Sequence, residues 1–172
     1  LVLSLLLIAS PVLAGAYAYA GYPFALRLLR AVRRPRAAKQ YADHELPPIT
    51  ITLPAYNEEA RLAGAIDAIL AAGYPAERLR VVVISDASTD ATDEIARGYA
   101  DRGVELLRMP QRLGKTAAEN ASRAVVQGPI VVNTDASVRI APGSLPALIR
   151  VFADPTIGVA SGHDVSVGSE QA

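Results

Sequence analysis

The sequence predicts an α/β fold, a mostly parallel sheet with helices on both faces, preceded by one transmembrane helix. Two observations predict the sheet: short β-branched runs alternate with segments of helical apolar spacing, and polar loops follow four of those runs. A third observation predicts the membrane helix, because residues 1–26 contain no charged side chain. A bilayer core of about 30 Å requires about 20 apolar helical residues, so this run is long enough to span it.

A basic cluster follows the apolar run, since six of the 17 Lys and Arg residues lie between Arg27 and Lys39. Residues 40–172 then carry 11 basic against 17 acidic side chains, a net charge of −6. Because basic residues flank membrane spans on the cytoplasmic side, we expect residues 27–46 to be a juxtamembrane linker at the inner face of the cell membrane. Such a cluster also attracts anionic lipid. The alternatives are a solvated linker and a signal peptide cleaved at 18–20, although signal peptides carry their charge before the apolar run.

Strand and helix patterns alternate after Pro47-Pro48. The unbroken apolar run at 81–84 is typical of a parallel strand buried on both faces, and Leu62, Ile66 and Ile69 recur on one helical face. The resulting order, β-α-β-α-β-α-β-α-β, predicts a parallel sheet with right-handed crossovers. The predicted strands are 49–53, 81–84, 104–107, 130–132 and 157–160, and the predicted helices are 61–72, 91–100, 115–126 and 144–152.

Composition excludes several classes of function. The absence of cysteine rules out a disulfide scaffold, a thiolate metal site and a cysteine nucleophile. Equal numbers of basic and acidic residues, 17 of each, give no electrostatic reason to expect a nucleic-acid partner. The chain has 172 residues, starts at Leu1 without a methionine and stops at Ala172 without a recognisable end, so we expect a fragment of a longer protein.

Polar loops follow the carboxyl ends of four predicted strands, which is where open α/β sheets bind ligands. Asp86 and Asp135 each follow a buried strand closely, and Lys115 lies on the loop between them. An Asp at such a position can also form an Asx-turn, and Asn57 and Asp90 are good helix N-caps. Two carboxylates and a lysine at one edge favour a phosphorylated ligand with its divalent cation, because hard cations bind carboxylates and retain phosphates as co-ligands.

Four motifs in these loops agree in order and spacing with one known family. They are Pro54-Ala55-Tyr56-Asn57-Glu58-Glu59, Ser85-Asp86-Ala87-Ser88-Thr89-Asp90, Gly114-Lys115-Thr116-Ala117-Ala118-Glu119-Asn120 and Thr134-Asp135-Ala136-Ser137. The stretch 49–162 resembles the nucleotide-binding half of the inverting family 2 glycosyltransferases, which have a Rossmann-like GT-A fold. The resemblance implies that residues 47–172 are the nucleotide-sugar-binding part of a truncated GT-A domain.

The resemblance also implies roles for the residues of the first two motifs. Pro54, Ala55 and Tyr56 would hold the nucleobase, with Tyr56 packing on it, and Glu58 would lie near the ribose. Asp86 would accept a hydrogen bond from the ring N–H of uracil, a contact that suits a carboxylate because it can only accept.

The later motifs would hold the diphosphate. Lys115 would approach the nucleotide or its phosphates, and Asp135 would bind Mg²⁺ or Mn²⁺ through the diphosphate oxygens or contact the ribose. Ser137 stands where the family has a second Asp, and a hydroxyl is a poorer ligand than a carboxylate. The catalytic base of the family, an Asp, lies further downstream, so we expect it beyond Ala172.

The leading hypothesis is therefore a membrane-anchored glycosyltransferase that transfers sugar from a UDP-sugar to a saccharide or lipid acceptor at the cytoplasmic face. On its own, this chain is expected to bind the donor without transferring the sugar. One alternative is a non-catalytic, membrane-tethered nucleotide-binding module or degenerate scaffold, favoured by Ser137 and by the missing base. The other is a nucleotidyltransferase, which would carry a Gly- and Arg-rich loop where residues 54–59 have neither residue.

Overall fold

Four parallel strands form the sheet that the alternating apolar runs predict. The computed structural model describes residues 2–32 and 41–163 of the chain. Within them the strands lie in the order β3-β2-β1-β4, and every neighbouring pair is parallel. The strands are β1 (Ile49–Ala55), β2 (Leu79–Ser85), β3 (Val104–Arg108) and β4 (Ile130–Asn133). The central pair is in register with Ile49 beside Leu79 and Ala55 beside Ser85, so β1 and β2 end level with each other.

Helices cover both faces of the sheet. The alternation of side chains along a strand puts Val81 and Val83 on one face and Val82 and Ile84 on the other, and each pair belongs to a separate apolar cluster. The larger cluster joins the first face to α3, α4 and α6, and the smaller cluster joins the second face to α5. These helices are α3 (Leu62–Leu70), α4 (Thr92–Arg97), α5 (Lys115–Ser122) and α6 (Ser144–Arg150). The predicted arrangement of a parallel sheet between two helical layers is confirmed.

The helices are shorter than their sequence patterns suggest. Residues 91–100, predicted as one helix, form α4 and then a separate 3-10 turn, Ala100–Arg102. The last helical segment also ends in a 3-10 turn, Val151–Ala153. Further 3-10 turns precede β1 and β2, at Asp43–Glu45 and Ala76–Arg78.

The fifth predicted strand, 157–160, is not found. These residues pair with no strand in the described part of the chain, and the side chain of Val159 is 88% exposed. The β-branched residues of this segment favour an extended backbone, but a strand also requires ladder hydrogen bonds to a neighbour. Residues 157–162 instead line an apolar groove of about 760 Å³ beside β4.

The amino-terminal unit, Leu1–Ala38, is separate from the unit that contains the sheet, Lys39–Ala172. Its helical residues fall into α1 (Val2–Ala16), a π-helical turn (Tyr17–Gly21) and α2 (Tyr22–Val32). No helix in residues 2–32 or 41–163 is both long enough and apolar enough to cross a membrane. The predicted spanning helix over residues 1–26 is therefore not found; the run is assigned to consecutive α, π and α segments, of which the longest, α1, has 15 residues.

The basic cluster is divided between described and undescribed residues. Arg27 and Arg30 belong to α2 rather than to a linker, so part of the segment 27–46 is helical. The remaining basic residues of the cluster, from Arg33 to Lys39, lie outside the described residues.

Candidate functional site

The loops beyond the strands begin in register with one another, because ladder-like hydrogen bonds continue past the strand ends. The amide of Asp86 donates to the carbonyl of Ala55 at 2.9 Å, and the amide of Met109 donates to the carbonyl of Ser85 at 2.8 Å. On the other side of β1, the amide of Thr134 donates to the carbonyl of Thr52 at 3.1 Å. All four strand ends therefore deliver their loops to one edge of the sheet, as the polar motifs predict.

Asn57 ties the loop after β1 to the loop after β2. Its backbone is in the left-handed region, with φ 54°. Its amide donates to Ser88 Oγ at 3.2 Å, and its side-chain Oδ1 accepts the amide of Thr89 at 2.8 Å. Helix α3 starts five residues later, after Arg61, so the interpretation of Asn57 as a helix N-cap is wrong. The side-chain oxygen of Asn57 accepts a hydrogen bond from an amide of the neighbouring loop and not from an amide of α3.

A second set of hydrogen bonds crosses between the same two loops in both directions. The amide of Glu59 donates to Asp90 Oδ2 at 3.1 Å, and Glu59 Oε2 accepts the amide of Ala91 at 3.0 Å. The amide of Glu58 donates to Thr92 Oγ1 at 2.8 Å. Asp90 also accepts the amide of Thr92 through Oδ1, but the N-cap residue of α4 is Ala91, so the interpretation of Asp90 as the helix N-cap is wrong.

Asp86 is buried, with 4% of its surface exposed, and it holds the loop after β3. Its Oδ1 accepts the amide of Leu113 at 2.8 Å, and its Oδ2 accepts the amide of Gly114 at 2.7 Å. The carboxylate therefore accepts hydrogen bonds from amides 27 and 28 residues away, and not from the local amide of an Asx-turn. Contact between Asp86 and a uracil ring stays a prediction.

The ring of Tyr56 is covered on one face by an arginine of the same distant loop. The guanidinium carbon of Arg112 lies 3.8 Å from the ring centroid, which is a close cation–π contact. Arg112 is not among the predicted site residues. Its position three residues before Lys115, on a loop assigned to the site, could have indicated that it belongs there.

Lys115 and Asp135 form an ion pair. Lys115 is the first residue of α5, and its Nζ lies 3.0 Å from Asp135 Oδ2. The hydrogen bond and charge of Asp135 raise the pKa of the lysine, and the hydrogen bond from Lys115 together with the amide of Ser137 lowers the pKa of Asp135. Both side chains are more than two-fifths exposed, so the pair is accessible to an incoming ligand.

Comparison with known proteins decides the family. Residues 50–171 match the model of the family described as glycosyl transferase family 2. The chain belongs to this family. An N-acetylglucosaminyltransferase of Rhizobium sp. (strain N33) is 33% identical over 68% of this chain and 27% of its own length. A beta-monoglucosyldiacylglycerol synthase of Synechocystis sp. is 29% identical over 78% of this chain and 29% of its own length.

A solved structure shows the same fold. A mannosyltransferase from Pyrobaculum calidifontis, in complex with GDP-Man and Mn²⁺, superposes with a TM-score of 0.70 at 31% identity, covering 86% of this chain and 44% of that one. The expected GT-A fold is thereby confirmed. This chain spans about a quarter to a third of the length of the first curated relatives that it matches.

The family 2 motif that would hold a metal contributes one carboxylate here. Asp135 Oδ1 accepts both the amide and the hydroxyl of Ser137 at 3.2 Å, so this residue also forms the local turn that we considered. Residues 2–32 and 41–163 contain no group of three or more His, Cys, Asp or Glu side chains that could bind a metal ion. One exposed carboxylate still fits Mg²⁺ or Mn²⁺, because such ions commonly take one or two carboxylates and complete their shell with phosphates and water.

Pro54, Ala55 and Glu58, the remaining predicted site residues, contact other residues of the protein. Pro54 and Ala55 are the last residues of β1, and the side chain of Ala55 is buried, so Ala55 offers the site its backbone. Proline is tolerated here because the ladder to β4 stops at Thr52. The carboxylate of Glu58 lies 3.4 Å from Arg61 on its own segment. The predicted contacts of these residues with base and ribose stay predictions.

We expect Asn57→Ala to destabilise the fold more than Asn57→Gly does. Both variants lose the hydrogen bond to Thr89, but alanine must also adopt the left-handed backbone at about 1–2 kcal/mol, which glycine adopts freely. Chemical denaturation of the two variants measures the difference. Equal free energies of unfolding would show that the backbone conformation at Asn57 is not strained.

Proposed function

We propose that this chain is the donor-binding part of a glycosyltransferase that transfers a sugar from a UDP-sugar to a saccharide or lipid acceptor. One observation carries the proposal: Asp86, Lys115 and Asp135 meet at one edge of the sheet and form a connected set. Asp86 accepts hydrogen bonds from the turn directly before Lys115, and Lys115 donates a hydrogen bond to Asp135. The names of the relatives support the class of reaction, and the Pyrobaculum structure supports a nucleotide-sugar donor with a divalent cation.

Each charged group has a distinct task in this proposal. Lys115 turns from Asp135 to a phosphate oxygen, where its ammonium acts as a point charge. Asp135 then offers its carboxylate to the cation that accompanies the diphosphate. Tyr56 and Arg112 offer flat surfaces to the nucleobase, with the guanidinium able to remain on one face of the tyrosine ring while the other face takes the base.

The reaction is one inverting displacement. The acceptor hydroxyl oxygen attacks the anomeric carbon, its proton passes to a carboxylate base, and the bond to the diphosphate breaks with the electron pair leaving on UDP. A divalent cation bound at Asp135 would neutralise charge on the departing diphosphate. We propose that the base lies in the part of the full-length protein that follows this chain, so these residues bind and orient the donor.

Titration of the chain with UDP and with GDP, in the presence and absence of Mn²⁺, tests the proposal. We expect UDP to bind more tightly than GDP, and Mn²⁺ to strengthen binding by completing the site at Asp135. Failure of both nucleotides to bind would contradict the proposed donor site and favour a degenerate scaffold. Equal affinity for UDP with and without Mn²⁺ would contradict the metal role of Asp135, and tighter binding of GDP would contradict the choice of uridine.

We expect Lys115→Met to change the affinities for metal and for nucleotide in opposite directions. Without the ammonium on Asp135, Mn²⁺ alone should bind more tightly, because the ion no longer competes with Lys115. The affinity for UDP should fall by roughly tenfold to a hundredfold, the loss expected for a charged hydrogen bond. Calorimetry measures both values, and Arg123→Met, which removes an exposed charge at the other end of α5, is the control. Unchanged Mn²⁺ affinity would show that the ion pair does not oppose metal binding.

We propose in addition that the protein works at the cytoplasmic face of the cell membrane and that its amino-terminal unit contributes to binding there. Among the described residues of this unit, large apolar side chains that are more than half exposed include Val12, Leu13, Phe24, Leu28 and Leu29. The first acidic residue of the chain is Asp43, so the six basic residues between 27 and 39 act without an opposing charge in that segment. Exposed apolar groups beside uncompensated cations suit an anionic lipid surface.

Flotation with lipid vesicles tests this placement. We expect the chain to bind vesicles that contain phosphatidylglycerol more strongly than vesicles of phosphatidylcholine alone. The double variant Arg27→Gln/Arg30→Gln should weaken binding to anionic vesicles, because each basic residue near the surface contributes about 1 kcal/mol. The control Arg102→Gln/Arg123→Gln removes the same charge from the other unit. Equal binding to both kinds of vesicle would contradict the electrostatic contribution.

A further inference from the structure

We propose that Asp86 is a positioning residue for phosphate recognition, because it fixes the turn from which Lys115 extends. The inference rests on the proposed function, in which Lys115 binds the diphosphate of the donor. It assigns Asp86 a role in addition to the base contact that the family resemblance implies, and it locates that role at the opposite end of the nucleotide.

The geometry at Asp86 is that of an anchor. The two carboxylate oxygens accept hydrogen bonds from the successive amides of Leu113 and Gly114, at 2.8 Å and 2.7 Å. Because two adjacent amides donate to two separate oxygens, these hydrogen bonds fix both the position and the orientation of the turn. Bonds to an ionised acceptor are stronger than bonds between neutral groups, and burial of Asp86 strengthens them further.

The loop has few other attachments. Residues 110–114 are exposed, and among the described residues the hydrogen bonds that their amides donate to another segment end on Asp86. The preceding residue, Met109, is buried and belongs to the smaller apolar cluster. Arg112 adds the contact with the ring of Tyr56. Loss of the Asp86 bonds would therefore release the loop between Met109 and the start of α5.

Lys115 depends on this turn because it follows the turn directly. Gly114 is the N-cap of α5, with φ 87° and ψ 166°, and Lys115 is the first helical residue. Its side chain is 59% exposed and has a long flexible stem, so packing does little to place the ammonium. The backbone at Gly114, which Asp86 holds, sets where that stem begins.

Accessibility favours the anchoring role over a role confined to base recognition. Asp86 has 4% of its surface exposed, and each of its oxygens already has one partner. A carboxylate retains further lone pairs, so a base contact is chemically allowed. The two roles differ in what they require of Lys115: anchoring acts through the lysine, whereas base recognition is independent of it.

A double-mutant cycle with UDP as the ligand separates the two roles, because coupled residues give non-additive losses. Asp86→Asn retains the shape of the side chain but presents an amide N–H₂ group to one of the two backbone donors. We expect this substitution to lower the affinity for UDP at least about fivefold in the wild-type background and less than about twofold in a Lys115→Met background. Equal fold losses in both backgrounds would overturn the inference.

A second variant disturbs the same turn and leaves the side chains of Asp86 and Lys115 unchanged. Gly114→Ala places its new Cβ in open space, so its effect is confined to the strained backbone at φ 87°. We expect Gly114→Ala to lower the affinity for UDP when Lys115 is present and to have little effect in the Lys115→Met background. If Asp86→Asn does not fold, this variant decides alone, and unchanged UDP affinity in Gly114→Ala would overturn the inference.

Two further measurements complete the design. Hydrogen exchange at the amides of Leu113 and Gly114 should quicken in Asp86→Asn, and slow exchange there would overturn the anchoring role. The control Asp67→Asn removes an exposed carboxylate that bonds Tyr99 and Arg102, and it should leave UDP affinity within about twofold of wild type. Failure of the wild-type chain to bind UDP would instead reject the proposed function itself.

Discussion

The backbone amides of the loops beyond the sheet need acceptors, and side chains of neighbouring loops provide them. A strand satisfies its amides through the ladder, but a loop that leaves the sheet loses that partner. Here Asn57, Glu59 and Asp90 satisfy the loops after β1 and β2, and Asp86 satisfies the loop after β3. The polar motifs thus meet one requirement: the loops at this edge of the sheet must be held in fixed positions.

The same requirement organises the charges. Asp86 is surrounded by protein and its oxygens are directed to backbone groups, whereas Asp135 and Lys115 are exposed and directed to each other. Burial therefore divides two aspartates that look alike in the sequence into one that holds a loop and one that is accessible from solvent. In the ion pair, Lys115 and Asp135 compensate each other's charge, and under the proposed function both change partners when the cation and the diphosphate bind.

Membership of glycosyl transferase family 2 agrees with this division of labour. The proposed donor binding would need a rigid frame for the nucleotide and a small set of groups that can exchange partners when the diphosphate binds. The interlocked loops after β1 and β2 supply the frame. The segment from Arg112 to Lys115 joins these loops to the exposed ion pair, so we expect the buried carboxylate of Asp86 to affect the exposed part of the site.

Local patterns of residues determined much of this protein by themselves. Apolar runs and helical spacing predicted five strands and four helices, because burial on a sheet or helix face requires those periods. Four of the strands and all four helices are present among the described residues, and the strand-end motifs predicted their shared edge. Tertiary structure decided the rest. Whether residues 157–160 form a strand depends on ladder bonds to a neighbour, and whether Asn57 caps its own helix or Thr89 depends on which loop lies next to it. Partners 27 to 32 residues away, such as those of Asp86 and Asn57, are set by the packing of strands, which no local pattern records.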